Sequence, residues 1–193
     1  MKLVYMTGDS PLISVLMPFY DDGGGATRRH FEEALRGILS QTMQNFEIIL
    51  VYSGHSDFVK AQAKKSGKIK LVHFEQKPFA GKLPLAEKIY GLVTSRNMCI
   101  ENARGKFIAY ADCDDISLPS RLATQYEFLS THPGIGVVGS AMRLINEKRE
   151  EVGKRQVVEN DADIRRSMLQ FNPVPQPTVM AYLSLVKQAG AYK

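Results

Sequence analysis

Three carboxylates, Asp112, Asp114 and Asp115, stand within four residues of one another, directly after the apolar run Phe107-Ile108-Ala109-Tyr110-Ala111. Charges that close repel, and the repulsion is relieved by protonation, by separation into solvent or by a cation. A hard divalent ion such as Mg2+ or Mn2+ takes one or two carboxylates and leaves its other positions to water and substrate phosphates. Such a site stabilises the charge of a departing phosphate. The plainer reading is helix capping, because acidic residues ahead of Pro119 favour the positive end of a following helix. Asp115 suits that role. Asp112 and Asp114, at the end of an apolar strand, are the metal candidates.

The elements that must position them alternate between strand and helix. Ile13-Ser14-Val15-Leu16-Met17 is a buried strand signal closed by Pro18, and Gly23-Gly24-Gly25 marks a loop. Phe31, Ala34, Leu35, Ile38 and Leu39 recur at helical spacing and predict a helix over 27–41. Further strands are predicted at 46–52, 69–73, 106–111, 135–139, 142–145 and 178–182. Helices are predicted at 57–66, 85–103, 119–132 and 161–171, a loop at 75–84, and a charged turn or hairpin at 147–156. Residues 1–11 read as a leader and 12–193 as one domain. Alternation of this kind gives an α/β fold with a largely parallel sheet. Ligands in such sheets bind at the carboxyl ends of the strands, here 18–22, 52–57 and 112–115.

Composition narrows the function. The 193 residues are 44% hydrophobic and 23% charged, enough for a sizeable core. A net charge of +5, with basic residues scattered or in isolated pairs, describes a solvated surface, and no nucleic-acid-binding motif is present. Cys99 and Cys113 have neither zinc nor disulfide spacing, which fits a reducing compartment. No apolar run approaches the roughly 18 residues of a membrane span, and a cytoplasmic location is the expectation. The glycine run does not have the G-x-G-x-x-G spacing of a dinucleotide site, which removes the dehydrogenase reading.

Ordered blocks along the chain resemble the inverting GT-A glycosyltransferases of the large family 2 class. Segment 107–116, with Pro119, Arg121-Leu122 and Gln125, resembles that family's D-x-D region. Ser14 through Tyr20 resembles its first strand and P-x-Y-N motif. Ser40-Gln41-Thr42 with Phe46 through Val51, then Gly91, Arg96-Asn97, Ala103 and Gly105, follow its next blocks in order. Val137-Val138-Gly139-Ser140, Pro177-Thr178-Val179-Met180 and Gly190-Ala191-Tyr192 complete the likeness.

The resemblance implies a GT-A (Rossmann-like) three-layer sandwich with a mostly parallel central sheet, binding a nucleotide-diphosphate sugar, UDP-sugar favoured, with Mn2+ or Mg2+. Asp114 matches the principal metal ligand, and Asp112 lies by the ribose, metal or sugar. Tyr20 would lie against the nucleobase, with Pro18, Ser53 and Arg96 completing the nucleotide-sugar site. The acceptor would be a glycan or a lipid-linked molecule, which leaves attachment to the inner face of a membrane open.

Departures accompany the likeness. Asp21 replaces the motif's asparagine and adds negative charge near a phosphate site. Ser53 stands where an acidic residue typically reads the base, and Gln176 replaces a histidine. The family's catalytic base belongs to an E-D motif beyond Lys193, so no base is assigned here. Truncation of the acceptor part is the expectation, with self-association through a surface that part would cover. The competing reading is a non-catalytic nucleotide-binding or assembly module that keeps the fold.

Overall fold

The computed structural model describes residues 10–75 and 84–192. Most of the expected leader and loop 75–84 therefore lie outside the described residues. Four βα units open the chain: β1 (Ile13–Asp21), α1 (Gly25–Leu39), β2 (Phe46–Gly54), α2 (Ser56–Ala63), β3 (Ile69–His73), α3 (Pro84–Asn102), β4 (Phe107–Tyr110) and α4 (Arg121–Thr131). Then follow β5 (Val137–Val138), the hairpin β6 (Met142–Ile145) and β7 (Glu151–Arg155), α5 (Asp161–Ser167), β8 (Met180–Tyr182) and α6 (Leu183–Gln188). No helix among the described residues is long and apolar enough to cross a membrane.

The six-stranded sheet has the order β3-β2-β1-β4-β8-β5. β1 is parallel to β2 and β4, and β3 is parallel to β2, while β8 runs antiparallel to both β4 and β5. Alternation along each strand builds a core on either face. Val15, Met17, Phe19, Ile48, Leu50 and Phe107 pack with Phe31 and Ile38 of α1, Val59 of α2 and Leu122 and Leu129 of α4. Leu16, Ile49, Val51, Ile108 and Tyr110 pack with Cys99, Ile100 and Ala103 of α3 on the other face, with Leu183 and Val186 of α6 against them. The result is the expected three-layer sandwich.

β1 runs three residues past the expected stop at Pro18, to Asp21. Pro18 lacks an N–H, so a two-sided strand should end there. It does not, because only one side remains paired. The β1–β4 register covers Ile13 to Leu16, and the Ala111 N–H donates to the Leu16 carbonyl at 3.0 Å as the last bond on that side. Pro18, two residues on, faces the same side, where no donor is required. The β1–β2 ladder continues to Asp21 and Gly54.

The opposite end of the sheet is locked. Buried Glu47 accepts from the Ser14 hydroxyl at 2.8 Å and from the Arg104 guanidinium at 2.8 and 3.1 Å. Ser14 Oγ in turn accepts the N–H groups of Arg104 and Gly105 at 3.1 and 2.8 Å. This ties the starts of β1 and β2 to the turn that enters β4.

Gly54 ends β2 with φ of +85°, and a Cβ there would lie 2.2 Å from the Asp21 carbonyl oxygen. Both the left-handed backbone and the close strand approach demand glycine. Gly54→Ala is expected to destabilise the fold by about 1–3 kcal/mol or more, read from the urea midpoint.

Candidate active site

Parity along the strands decides which side chains meet. On β1, Leu16, Pro18 and Tyr20 share the α3 face, and on β2, Ile49, Val51 and Ser53 share it. Tyr20 sits opposite Ser53 in the register, with Tyr20 58% exposed and Ser53 buried. On β4 the same face carries Ile108 and Tyr110, and the count continues to Asp112. Arg96 comes up from α3 itself, and its Nη2 donates to Asp112 Oδ1 at 3.4 Å. Tyr20, Ser53, Arg96 and Asp112 thus occupy one face of one sheet edge, at the place where β1 and β4 part.

Asp21 has the opposite parity, and this corrects the expectation of added charge at a phosphate site. Its carboxylate is fully buried on the α1 face, where Arg28 of α1 donates Nε and Nη2 to it at 3.0 Å each. Gly23 N–H donates to the same carboxylate at 2.9 Å. The Arg28 guanidinium also lies over the Phe58 ring, 5.0 Å from its centre. The Asp21 hydrogen bonds hold the Arg28 guanidinium above its ordinary value. Asp22 joins the same turn, and hydrogen bonds from Gly24 N–H and the Thr27 hydroxyl hold its carboxyl below its usual range.

The acidic segment does not cap α4. Ser120 is the cap residue, its side chain makes no capping bond, and the buried Gln41 Oε1 accepts the Leu122 N–H at 2.9 Å instead. Gln41 Nε2 also donates to Leu118 O at 2.8 Å. With the cap supplied by Gln41 from the turn after α1, the aspartates face the edge of the sheet. Asp114 is exposed, while Asp112 and Asp115 are partly buried. Burial raises the Asp112 carboxyl, with Arg96 opposing it. Burial and repulsion from Asp114 and Asp112 push Asp115 up to about 6. Burial and the same two charges push the Cys113 thiol up to about 12, which leaves it protonated at neutral pH.

Among the described residues no three His, Cys, Asp or Glu side chains converge to enclose a metal ion. Asp112, partly buried, and Asp114, exposed, would offer two hard carboxylates to a metal. That set fits Mg2+ or Mn2+, which complete their coordination with water and phosphate oxygens.

Sequence reasoning gave no role to the residues that fix this arrangement. Asn97 forms a two-bond clamp on Tyr192, donating to its carbonyl at 2.9 Å and accepting its N–H at 3.0 Å. Gln176 Nε2 donates to the Tyr192 hydroxyl, so the residue that replaces a histidine holds the last described segment in place. The Tyr192 ring lies edge-on to Tyr110, and the Arg96 guanidinium sits 5.7 Å from its centre.

Two measurements follow from these charges. Removing Arg28 strands a buried carboxylate. Arg28→Ala should lower the urea midpoint, and adding Asp21→Asn in the same chain should restore most of the loss. The folded Asp115 carboxyl lies at about 6, above its ordinary 3.8, so its protonated form favours the fold. Its contribution is complete below the ordinary value and is lost as pH rises through about 6. In metal-free protein, Asp115→Asn should therefore flatten the fall in urea midpoint between those two values.

Residues 14–187 match the Glycosyl transferase family 2 profile. The chain is 29% identical over 187 residues to the amylovoran biosynthesis glycosyltransferase AmsE of Erwinia amylovora, covering 94% of this chain and 64% of that protein. It is 30% identical over 135 residues to the glycosyltransferase GlyG of Streptococcus pneumoniae, covering 68% of this chain and 39% of that one. The fold is that of S. aureus TarS 1–349 crystallised with UDP-GlcNAc, with a TM-score of 0.63 at 20% identity over 93% of this chain and 48% of that one. Across its relatives the chain spans less than two thirds of their length, from 64% down to 23%. The profile match covers most of the chain and agrees with the ordered motif blocks, the sheet order and the acidic edge: the protein belongs to glycosyl transferase family 2.

Proposed function

We propose that the protein takes part in transferring a sugar from a nucleotide-diphosphate donor, UDP-sugar in first preference, to a hydroxyl of a glycan or lipid-linked acceptor with inversion. The observation that carries this is the parted end of β1 and β4, where Arg96, Asp112 and the exposed Asp114 meet at one edge. The exposed Tyr20 face beside Pro18 and Ser53 suits a stacked base and its ribose. Arg96 uses one long bond to Asp112 and is 15% exposed, which leaves N–H donors of its fork for an anionic ligand. When bound, Mn2+ or Mg2+ on Asp112 and Asp114 supplies charge neutralisation to the departing diphosphate.

In the transfer, the acceptor oxygen forms a bond to the anomeric carbon as the carbon–phosphate-oxygen bond breaks on the opposite face. The nucleoside diphosphate leaves with that electron pair, and a base takes the hydroxyl proton. No residue of this chain is assigned that last role. UDP rests on the presence of UDP-GlcNAc in the TarS crystals, and a glycan acceptor on the amylovoran role in the AmsE name.

A second reading rests on Ser53. Its buried hydroxyl replaces a carboxylate at the edge, and a neutral donor-acceptor holds a base more weakly than a charge does. On that reading the chain is a non-catalytic nucleotide-binding or assembly module. Calorimetry with UDP, with and without Mn2+, separates the readings. The transferase reading expects metal-dependent binding that Asp114→Ala weakens by about tenfold or more, which corresponds to roughly 1.4 kcal/mol. Absence of binding to UDP, GDP and dTDP alike would leave only an assembly module.

A further inference from the structure

Arg121 is the first residue of α4, and its guanidinium reaches back beneath the acidic segment. Nη2 donates to Tyr110 O at 2.7 Å and more weakly to Val179 O at 3.5 Å. Nη1 donates to Ser117 Oγ at 2.9 Å, and Nε donates to Gln125 Oε1 at 3.2 Å. Gln125 is buried and itself donates to Thr178 O. Every one of these acceptors is neutral. Among the described residues no carboxylate bonds to Arg121, although Asp115 and Asp112 are close enough for their charges to act on it.

The placement of the bonds is informative. Tyr110 is the last residue of β4 and stands two positions before Asp112. Ser117 stands two positions after Asp115. One planar fork therefore grips the main chain where the acidic segment begins and a side chain where it ends. Inside the segment, the Asp115 N–H closes a turn onto Asp112 O at 3.4 Å. The Val179 bond and the Gln125–Thr178 bond tie the same fork to the start of β8. A guanidinium has five N–H donors in a rigid plane, a geometry that an ammonium cannot reproduce.

We infer that Arg121 is a positioning residue whose fork brackets residues 111–116 and sets the spacing of Asp112 and Asp114 for one divalent cation, without spending a carboxylate oxygen on itself. The inference rests on the metal-dependent donor binding proposed above. A salt bridge from Arg121 to either aspartate would occupy an oxygen that the cation needs. Neutral acceptors keep the fork and its charge beneath the segment and leave the carboxylates free of Arg121, with only the long Arg96 contact on Asp112 for an incoming ligand to displace. Positive charge alone would repel a cation, so the benefit must come from geometry.

Arg121→Lys isolates that benefit, because it keeps the charge and loses the bracket. UDP affinity is measured by calorimetry with and without Mn2+, on wild type and variant, with thermal melts confirming the fold. The expected result is loss of the Mn2+-linked gain in UDP affinity by about tenfold or more. Metal-free UDP affinity, which on the proposed reading depends on the β1 and β2 ends and on Arg96, should stay unchanged, and amide exchange should rise across 111–116. Should Arg121→Lys fail to fold, Ser117→Ala removes one end of the bracket, and a smaller loss of the same metal-linked gain is expected. A folded variant that keeps the wild-type gain overturns the inference. So does an equal fall in both affinities, which would mark Arg121 as a general structural residue. A wild type with no Mn2+-linked gain overturns the parent reading instead.

Discussion

The active edge depends on one event in the sheet, the end of the β1–β4 ladder at Leu16. β2 holds β1 on its other side as far as Asp21, so the two central strands diverge while β1 stays extended. Strand order reverses at this point, since β2 and β3 lie to one side of β1 and β4 and β8 to the other. A crevice at such a reversal is where open α/β sheets bind ligands. Pro18 is compatible with the event because its missing N–H falls on the side already vacated. Everything proposed for Tyr20, Arg96, Asp112 and Asp114 presupposes that gap.

Four of the aspartates at this edge are treated differently from one another. Asp21 is buried and satisfied by a bidentate guanidinium, so its charge is removed from the crevice. Asp112 shares a long contact with Arg96 that an incoming ligand can replace. Asp114 is left exposed, and Asp115 is held where burial and then its acidic neighbours disfavour its ionisation. Two arginines lie on opposite faces: Arg28 serves structure, and Arg96 is the one proposed to meet the ligand. Neighbouring positions on β1 differ in role because a strand turns successive side chains to opposite faces.

Much of this was legible in the sequence. Apolar runs marked the four parallel strands, and the acidic segment after β4 could be placed at a sheet edge before any coordinates were considered. The extension of β1 was hidden, because Pro18 reads as a stop unless one knows that β4 has already left. That error hid the parity of Asp21 and with it the Arg28 pair. The cap on α4 was illegible for another reason: Gln41 lies 81 residues from Leu122, and no local pattern reports a bond of that span. The direction of β8 was equally hidden, since the hairpin and α5 intervene between β5 and β8 and alternation does not fix how the chain returns. Within the site, Arg121 and Gln176 were visible as residue types, but their bonds run to main-chain atoms and a phenol that only the folded chain brings near.

The Glu47–Ser14–Arg104 lock has a mechanical consequence. It clamps the starts of β1 and β2 and the entry to β4 with charged and hydroxyl bonds at the end of the sheet furthest from the crevice. The same strands are joined at one end and separated at the other, in the manner of a tuning fork. Compliance then grows from the stem toward the tips. Small adjustments to a ligand can be taken up at the tips, while the apolar layers nearer the stem keep their packing.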